Sequence, residues 1–463
     1  MTTPNNIETA STTIQEFFNK ETIEEIARDT KFVQRYSPLG GFTFLQVAIF
    51  AFIDDPAANL DDLAQACADL GVEISVQGFD QRLNAYTLEF LKEMLSRAME
   101  QFKNNSPLPL PILQQFSAIN LVDSTVIGLP DNMAAEFPGC GGDGPQASVK
   151  IQLKFEFLHG NLSQIVLQAG KEPDQKYEAY LAEVQAGSLN INDLGYFVLD
   201  NLETIDKEQE AYYISRYLFG TTILTLPEES INLGAVLKKA SGQPFEMEVL
   251  LGAKKKLPCR LICLPLPQEV ADRRRQKAKE KARSQGKTPS KEYLALLDWL
   301  IFVTNVPQEM LSIEQVALLY RVRWQIELVF KLWKSYCRLD LIQGLRRERV
   351  LFELYAKMIG IILTQFLLAP LRMPQGAWAN RELSFFKVRD IFQRFALELM
   401  RSLPMLASLA AVLTKIFERI ERFGFKQKRN KLPNVCHALA LASVVYVLEF
   451  DIDQDIALPT LLA

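Results

Sequence analysis

The chain has 463 residues, 48% of them hydrophobic and 23% charged, with a formal net charge of −4. That is the composition of a soluble globular protein, and the length allows two to four domains with at least one large core. Only two histidines are present, His159 and His437, which argues against a Ser-His-Asp enzyme and a histidine-based zinc hydrolase; hydrolytic chemistry here must lean on carboxylates.

The opening stretch MTTPNNIETASTTIQEFF lacks a basic segment followed by an apolar run, so no signal peptide is expected. The longest apolar runs, FTFLQVAIFAFI and MIGIILTQFLLAPL, fall short of the roughly 20 residues of a membrane span and are expected as buried helices. Charge is unevenly spread. Residues 1–110 hold 8 Lys/Arg against 16 Asp/Glu, and residues 301–463 hold 22 against 15. The N-terminal part is acidic and the C-terminal part basic.

Residues 1–105 read as a helical domain. LDDLAQACADLG followed by VQGFDQRLNAYTLEFLKEML has a helix-turn-helix rhythm, with Gly71 near the end of the first helix and Ser75 as a cap. As a DNA reader the second helix would offer Gln77, Gln81, Arg82 and Asn84; helix pairs of this shape also occur in plain bundles. The proline-rich NNSPLPLPILQQ marks a boundary.

Residues 106–217 turn to strands. AINLVDSTVIGL is β-rich around Asp123, FPGCGGDGPQAS is a flexible connector, and VKIQLKFEFLHG alternates apolar and polar residues, with LSQIVLQAG as its partner. PDQKYEAYLAEVQAG reads as a helix, NINDLGYF places Asp193 where a strand ends, and AYYISRYLFGTTIL reads as one strand. Residues 218–300 are expected as a mainly β insertion carrying FEMEVLLG and CRLICLPLP. The six cysteines are Cys67, Cys140, Cys259, Cys263, Cys337 and Cys436; Cys259 and Cys263 fall on one face of a strand and are expected as buried free thiols, since nearby sequence offers no further soft ligands for zinc. The basic run ADRRRQKAKEKARSQGKTPSKEY reads either as a solvated helix face or as a phosphate contact.

Residues 301–345 open within the strand WLIFVTNVP, which starts at Trp299, and lead into LLYRVRWQIELVFKLWK, Leu318 to Lys334, which reads as one helix. At 100° per residue, Tyr320, Arg323, Glu327, Lys331 and Lys334 share a stripe bordering the apolar face of Leu319, Val322, Ile326, Val329 and Trp333. By itself the stripe reads either as a set of i,i+4 ion pairs, each contributing about 0.2–0.5 kcal/mol, or as a carboxylate for a divalent cation flanked by groups that hold backbone phosphates. Residues 346–463 again read as helical, with a basic patch at FGFKQKRNKLP.

Asp123 on a strand, Asp193 at a strand end and Glu327 on a helix follow the layout of a ribonuclease H-like nucleotidyl-transfer core, and such carboxylates suit a hard oxygen-seeking cation. Tyr320, Arg323, Glu327 and Lys334 fit Y-x2-R-x3-E-x6-K at every fixed position. This resembles the signature of the DDE transposases of bacterial insertion sequences, the insertion sequence family four group. DST at Asp123, DLGYF at Asp193, VTNVP and RWQIEL also resemble motifs of that family, so the likeness spans about 120–340. Leu194 departs from it, standing where the family often has Arg, and Asp200 is a rival second carboxylate.

The resemblance implies an α/β fold with a ribonuclease H-like catalytic core, a mainly β insertion, and helical N- and C-terminal domains, the latter offered for dimerisation. It implies a Mg²⁺-dependent transposase, with Mn²⁺ as a substitute, whose catalytic and metal-holding residues are Asp123, Asp193 and Glu327. Its reaction would be two-metal cutting and joining of insertion-sequence ends, cut-and-paste through a hairpin. Its partners would be terminal inverted repeats and target DNA, held by a homodimer at the bacterial nucleoid in the cytoplasm. Tyr320, Arg323 and Lys334 would hold DNA phosphates; Lys331, on the same stripe but outside the signature, is either a further phosphate contact or a solvated neighbour, and Trp324 is either a base-stacking residue or a core-edge aromatic. A transposase-derived DNA-binding protein without catalysis and a two-metal nuclease are the alternatives.

Overall fold

The computed structural model describes residues 4–104, 106–141, 144–371 and 383–426. Six helices come first: α1 (Pro4–Phe17), α2 (Lys20–Asp29), α3 (Gly41–Asp54), α4 (Leu60–Asp69), α5 (Val76–Arg82) and α6 (Ala85–Gln101). Their starts follow from capping chemistry. Asn59 with Asp62, and Asn84 with Thr87, form reciprocal capping boxes that satisfy orphan amides at the first turns of α4 and α6.

The sheet is built from β1 (Ile119–Leu129), β2 (Ala147–Glu156), β3 (Asn161–Ala169), β4 (Leu189–Asn192), β5 (Tyr212–Arg216), β6 (Ile223–Leu224), β7 (Phe245–Leu251), β8 (Leu257–Pro265) and β9 (Trp299–Thr304). They form one nine-stranded sheet in the order β3-β2-β1-β4-β5-β9-β8-β7-β6. β1, β4 and β5 run parallel; the other pairings are antiparallel. Between strands lie α7 (Leu199–Glu203), α8 (Leu233–Lys239), α9 (Gln268–Ser284) and α10 (Lys291–Leu296). After β9 come α11 (Ile313–Tyr320), α12 (Trp324–Ser335), α13 (Arg347–Leu368), α14 (Phe385–Ser402) and α15 (Leu406–Phe423).

Several elements differ from the sequence reading. Residues 174–183 form two short 3₁₀ turns instead of a helix, and the single strand expected over 211–224 is split into β5 and β6. Residues 218–300 contain more helix than strand, and their strands extend the central sheet through β9 instead of forming a separate unit. The basic run is the long helix α9, with Val270, Arg274, Ala278 and Ala282 turned inward and Arg273, Lys277 and Lys281 exposed.

The helices from the two ends of the chain share one core. α13 packs against α3 and α6, α14 against α3, and α15 against α1. Phe352 of α13 meets Phe44, Phe52 and Phe79 in an aromatic cluster. Both α3 and α13 are apolar around most of their circumference, so neither can be stable with a side left in water. This explains α13 as well: it is long and apolar enough to cross a membrane, but it is packed inside the protein.

Candidate active site

The sheet register brings the two aspartates together. β1 and β4 are parallel neighbours with Val122 opposite Asn192, so Asp123 and Asp193 follow at the same level. Asp123 lies mid-strand, and one of its carboxylate oxygens accepts the Ser124 amide at 2.7 Å. Its pKa is raised to about 7: burial, and then Asp193 and Glu327, push it up against the pull of Arg323 and the Ser124 amide. Asp193 ends its strand by capping the 3₁₀ turn Leu194–Tyr196, with Oδ2 accepting the Gly195 amide at 3.3 Å.

The third carboxylate arrives on α12. Ser312 and Gln315 form the capping box that starts α11, and a 3₁₀ turn at Arg321–Arg323 separates α11 from α12, where one continuous helix was expected. Glu327 falls in the first turn of α12. Arg323 Nη2 donates to Glu327 Oε1 at 2.7 Å, while Nη1 lies 3.7 Å from Asp123 Oδ2 and 4.0 Å from Asp193 Oδ1. The Arg323 side chain is only 4% exposed. Three carboxylates from three elements therefore converge on one guanidinium, and the i,i+4 pair is part of that cluster.

The donor set suits a hard divalent cation: three oxygen ligands, an excess of negative charge, and a position where the structure already holds positive charge. As placed, with the guanidinium between them, they form no ready-made cage; among the described residues no three His, Cys, Asp or Glu side chains do.

The rest of the expected phosphate-binding stripe divides. Tyr320 is buried against Phe302, with ring centroids 5.0 Å apart, and Arg323 is buried among the carboxylates, so neither lines an open surface. A 3₁₀ turn and close packing on β5 and β9 draw that end of the stripe inward. Trp324 is half-buried, and Lys331 is exposed. Lys334 is half-buried and donates to the Val126 carbonyl at 2.9 Å, tying α12 to β1; burial lowers its pKa.

Asp200 lies away from this cluster, exposed on α7 and paired with Lys255 at 2.6 Å. Cys259 and Cys263 are buried free thiols on β8, raised by burial, Cys263 to about 12. Cys436, His437 and most of the basic patch at 423–433 lie outside the described residues. In the helix-turn-helix-like pair, Gln77 and Gln81 are exposed, but Arg82 donates to the Leu39 carbonyl and covers Phe32, and Asn84 is occupied as a cap.

A polar cluster behind β1 was not foreseen. β2 is buried along its whole length, and Lys150, Gln152 and Lys154 face the segment 170–184 instead of water. Three polar residues at alternate positions of one strand were the available signal, but it is the same signal a solvated face gives.

Residues 114–363 match the family described as the transposase DDE domain. The chain is 30% identical over 447 residues to the transposase for insertion sequence element IS231F of Bacillus thuringiensis subsp. israelensis, covering 91% of this chain and 93% of that one. It is 28% identical over 446 residues to the transposase for IS1151 of Clostridium perfringens, with the same coverage. Among solved structures, a piggyBac transposase synaptic complex with hairpin DNA aligns at a TM-score of 0.45 and 12% identity, covering 96% of this chain and 86% of that one.

Proposed function

The chain belongs to the DDE transposases of bacterial insertion sequences, and from that premise we propose that it cuts the ends of its own element and joins them to target DNA, with Asp123, Asp193 and Glu327 as the catalytic carboxylates. The observation that carries the reading is their convergence on Arg323 from β1, the end of β4 and α12. The strand order β3-β2-β1-β4-β5, with β2 antiparallel and β4 and β5 parallel to β1, supports a ribonuclease H-like core.

In this proposal the three carboxylates hold divalent cations, Mg²⁺ or Mn²⁺. When bound, the cations would activate the attacking water or 3′-hydroxyl and stabilise the leaving oxygen. Asp123, buried and raised towards neutrality, gives up its proton as positive charge is brought close. Arg323 balances the carboxylates, and Lys334 fixes α12 against β1 so that Glu327 stays level with the two aspartates.

DNA contact falls to the exposed cations nearby. Lys331 would meet phosphate, Trp324 would stack at the strand distortion of a hairpin intermediate, and Lys334 would reach phosphate from its half-buried position. Tyr320 and Arg323 would support the contact from beneath. The exposed face of α9 adds a basic surface that offsets the net negative charge of the chain. Two ends must meet for transposition, so the working state is a homodimer on DNA.

The test is incubation of the full chain with DNA carrying the sequences that flank its coding region, in Mg²⁺. The proposal expects cleavage followed by joining to a target. Cleavage that survives Asp123→Ala, Asp193→Ala or Glu327→Ala would remove the site assignment. Free ends that never join a target would make the protein a nuclease, and binding without cleavage a DNA-binding derivative.

A further inference from the structure

The polar cluster on the far face of β1 has a geometry that bears on the candidate site. Side chains alternate along a strand, so Ser124 points away from the face that carries Asp123. Its hydroxyl donates to Asp174 Oδ1 at 2.9 Å. The same oxygen accepts Lys150 Nζ at 2.9 Å and Gln152 Nε2 at 3.0 Å, both from β2. Gln152 also accepts the hydroxyl of Tyr196, which lies in the turn that Asp193 caps. The turn at Asp174–Lys176 packs against the turn at Leu194–Tyr196, and a Cβ built on Gly195 would sit 3.6 Å from Asp193 Oδ2 and 3.8 Å from Asp174 Oδ2. One carboxylate thus bonds to the strand bearing Asp123 and to the neighbouring strand, and lies beside the turn bearing Asp193.

The Lys150–Asp174 pair is largely buried, with side chains 9% and 29% exposed. A buried ion pair often contributes no more stability than apolar side chains of the same volume, and its attested use is to specify one arrangement over others. Here the arrangement specified is the relative placement of β1 and the 193–196 turn.

We propose that Asp174 is a positioning residue, fixing the spacing of Asp123 and Asp193 through Ser124, Gln152 and the Tyr196 turn so that the two carboxylates can share a divalent cation. The inference rests on the metal-holding role proposed above for those residues. Partners that orient ligating carboxylates typically change metal affinity about 10–100-fold when removed.

The test is calorimetric titration of Mn²⁺ into the full chain, without DNA or turnover, alongside a thermal melt of each variant. Asp174→Ala is expected to weaken Mn²⁺ binding about tenfold. Asp174→Asn keeps an oxygen for Ser124 and Gln152 and is expected to stay within about threefold of the parent, a value well below the loss typical of such partners. Ser124→Ala removes one hydroxyl, serves if Asp174→Ala does not fold, and is expected to weaken binding while melting as the parent does. Parent-like Mn²⁺ affinity in Asp174→Ala or, if that variant is unfolded, in Ser124→Ala overturns the inference. So does an equal loss in Asp174→Asn and Asp174→Ala, which would assign the effect to charge instead of position. Asp123→Ala separates the two levels: Mn²⁺ binding that survives it removes the metal site itself and the inference with it, whereas binding lost there but untouched by Asp174 and Ser124 substitutions removes the inference alone.

Discussion

Arg323→Met takes the positive charge out of the middle of three carboxylates while keeping most of the side-chain volume. At an effective dielectric near 20, a unit charge pair at 4 Å attracts by about 4 kcal/mol before desolvation is subtracted. Arg323 makes one direct bond to Glu327 at 2.7 Å and two longer approaches, 3.7 Å to Asp123 and 4.0 Å to Asp193. Removing one member of a buried pair costs about 3–5 kcal/mol net, because the remaining charge is left uncompensated. At about 1 °C per kcal/mol for a chain of this length, the melting midpoint in chelator should fall by roughly 3–5 °C. Two dependences identify the cause. Millimolar Mg²⁺ should raise the variant's midpoint more than the parent's, since the cation replaces the missing charge. At pH 5 the gap should narrow, because Asp123, lifted by burial to about 7, carries a proton there and needs no counter-charge. A variant that melts with the parent in chelator at neutral pH, or that gains no more from Mg²⁺, would refute the reasoning.

Asp193→Asn should lower strand cleavage by about two to three orders of magnitude, whereas Asp200→Asn, on the exposed helix α7, should leave the rate near that of the parent; initial cleavage rates distinguish them. Arg260→Met should destabilise the fold by about 3–5 kcal/mol in denaturant titrations, because the buried guanidinium on β8 pairs with Glu246 and donates to the carbonyls of Val306 and Leu311 ahead of α11. Lys154, held at about 8 by burial, is charged in the unfolded chain up to the usual lysine range, so the unfolded state binds the extra proton between those values. Stability of the parent relative to Lys154→Met should therefore rise from pH 8 to pH 10, by up to about 3 kcal/mol, and a flat difference would contradict the burial of that amine.

The order of the three carboxylates along the chain could be read from sequence because each sits in a local pattern: a β-rich run for Asp123, a strand end for Asp193, a helical stripe for Glu327. Their meeting point depends on the parallel pairing of β1 with β4 and on the angle of α12, neither of which is local. Arg323 shows the difference. Spacing placed it on a stripe beside Glu327, and the i,i+4 bond is there, but its burial among Asp123 and Asp193 depends on a sheet 130 or more residues upstream. The alternation along β2 marks a strand but cannot distinguish whether water or a covering loop meets its polar positions. Within the cover, PDQKYEAYLAEVQAG reads as a helix but forms consecutive 3₁₀ turns, since apolar and polar residues at helical spacing suit both. The continuation of the sheet through residues 245–265 was hidden for a related reason: short strands announce themselves, but not which edge they join.

The most direct measurement is the anomalous scattering of Mn²⁺ in crystals of the full chain bound to a DNA end. The account predicts peaks at roughly 2.0–2.3 Å from carboxylate oxygens of Asp123, Asp193 and Glu327, the range for oxygen ligands of small divalent cations, with the Arg323 guanidinium moved off the carboxylates. Mn²⁺ bound elsewhere, with Arg323 still between the three carboxylates, would contradict it.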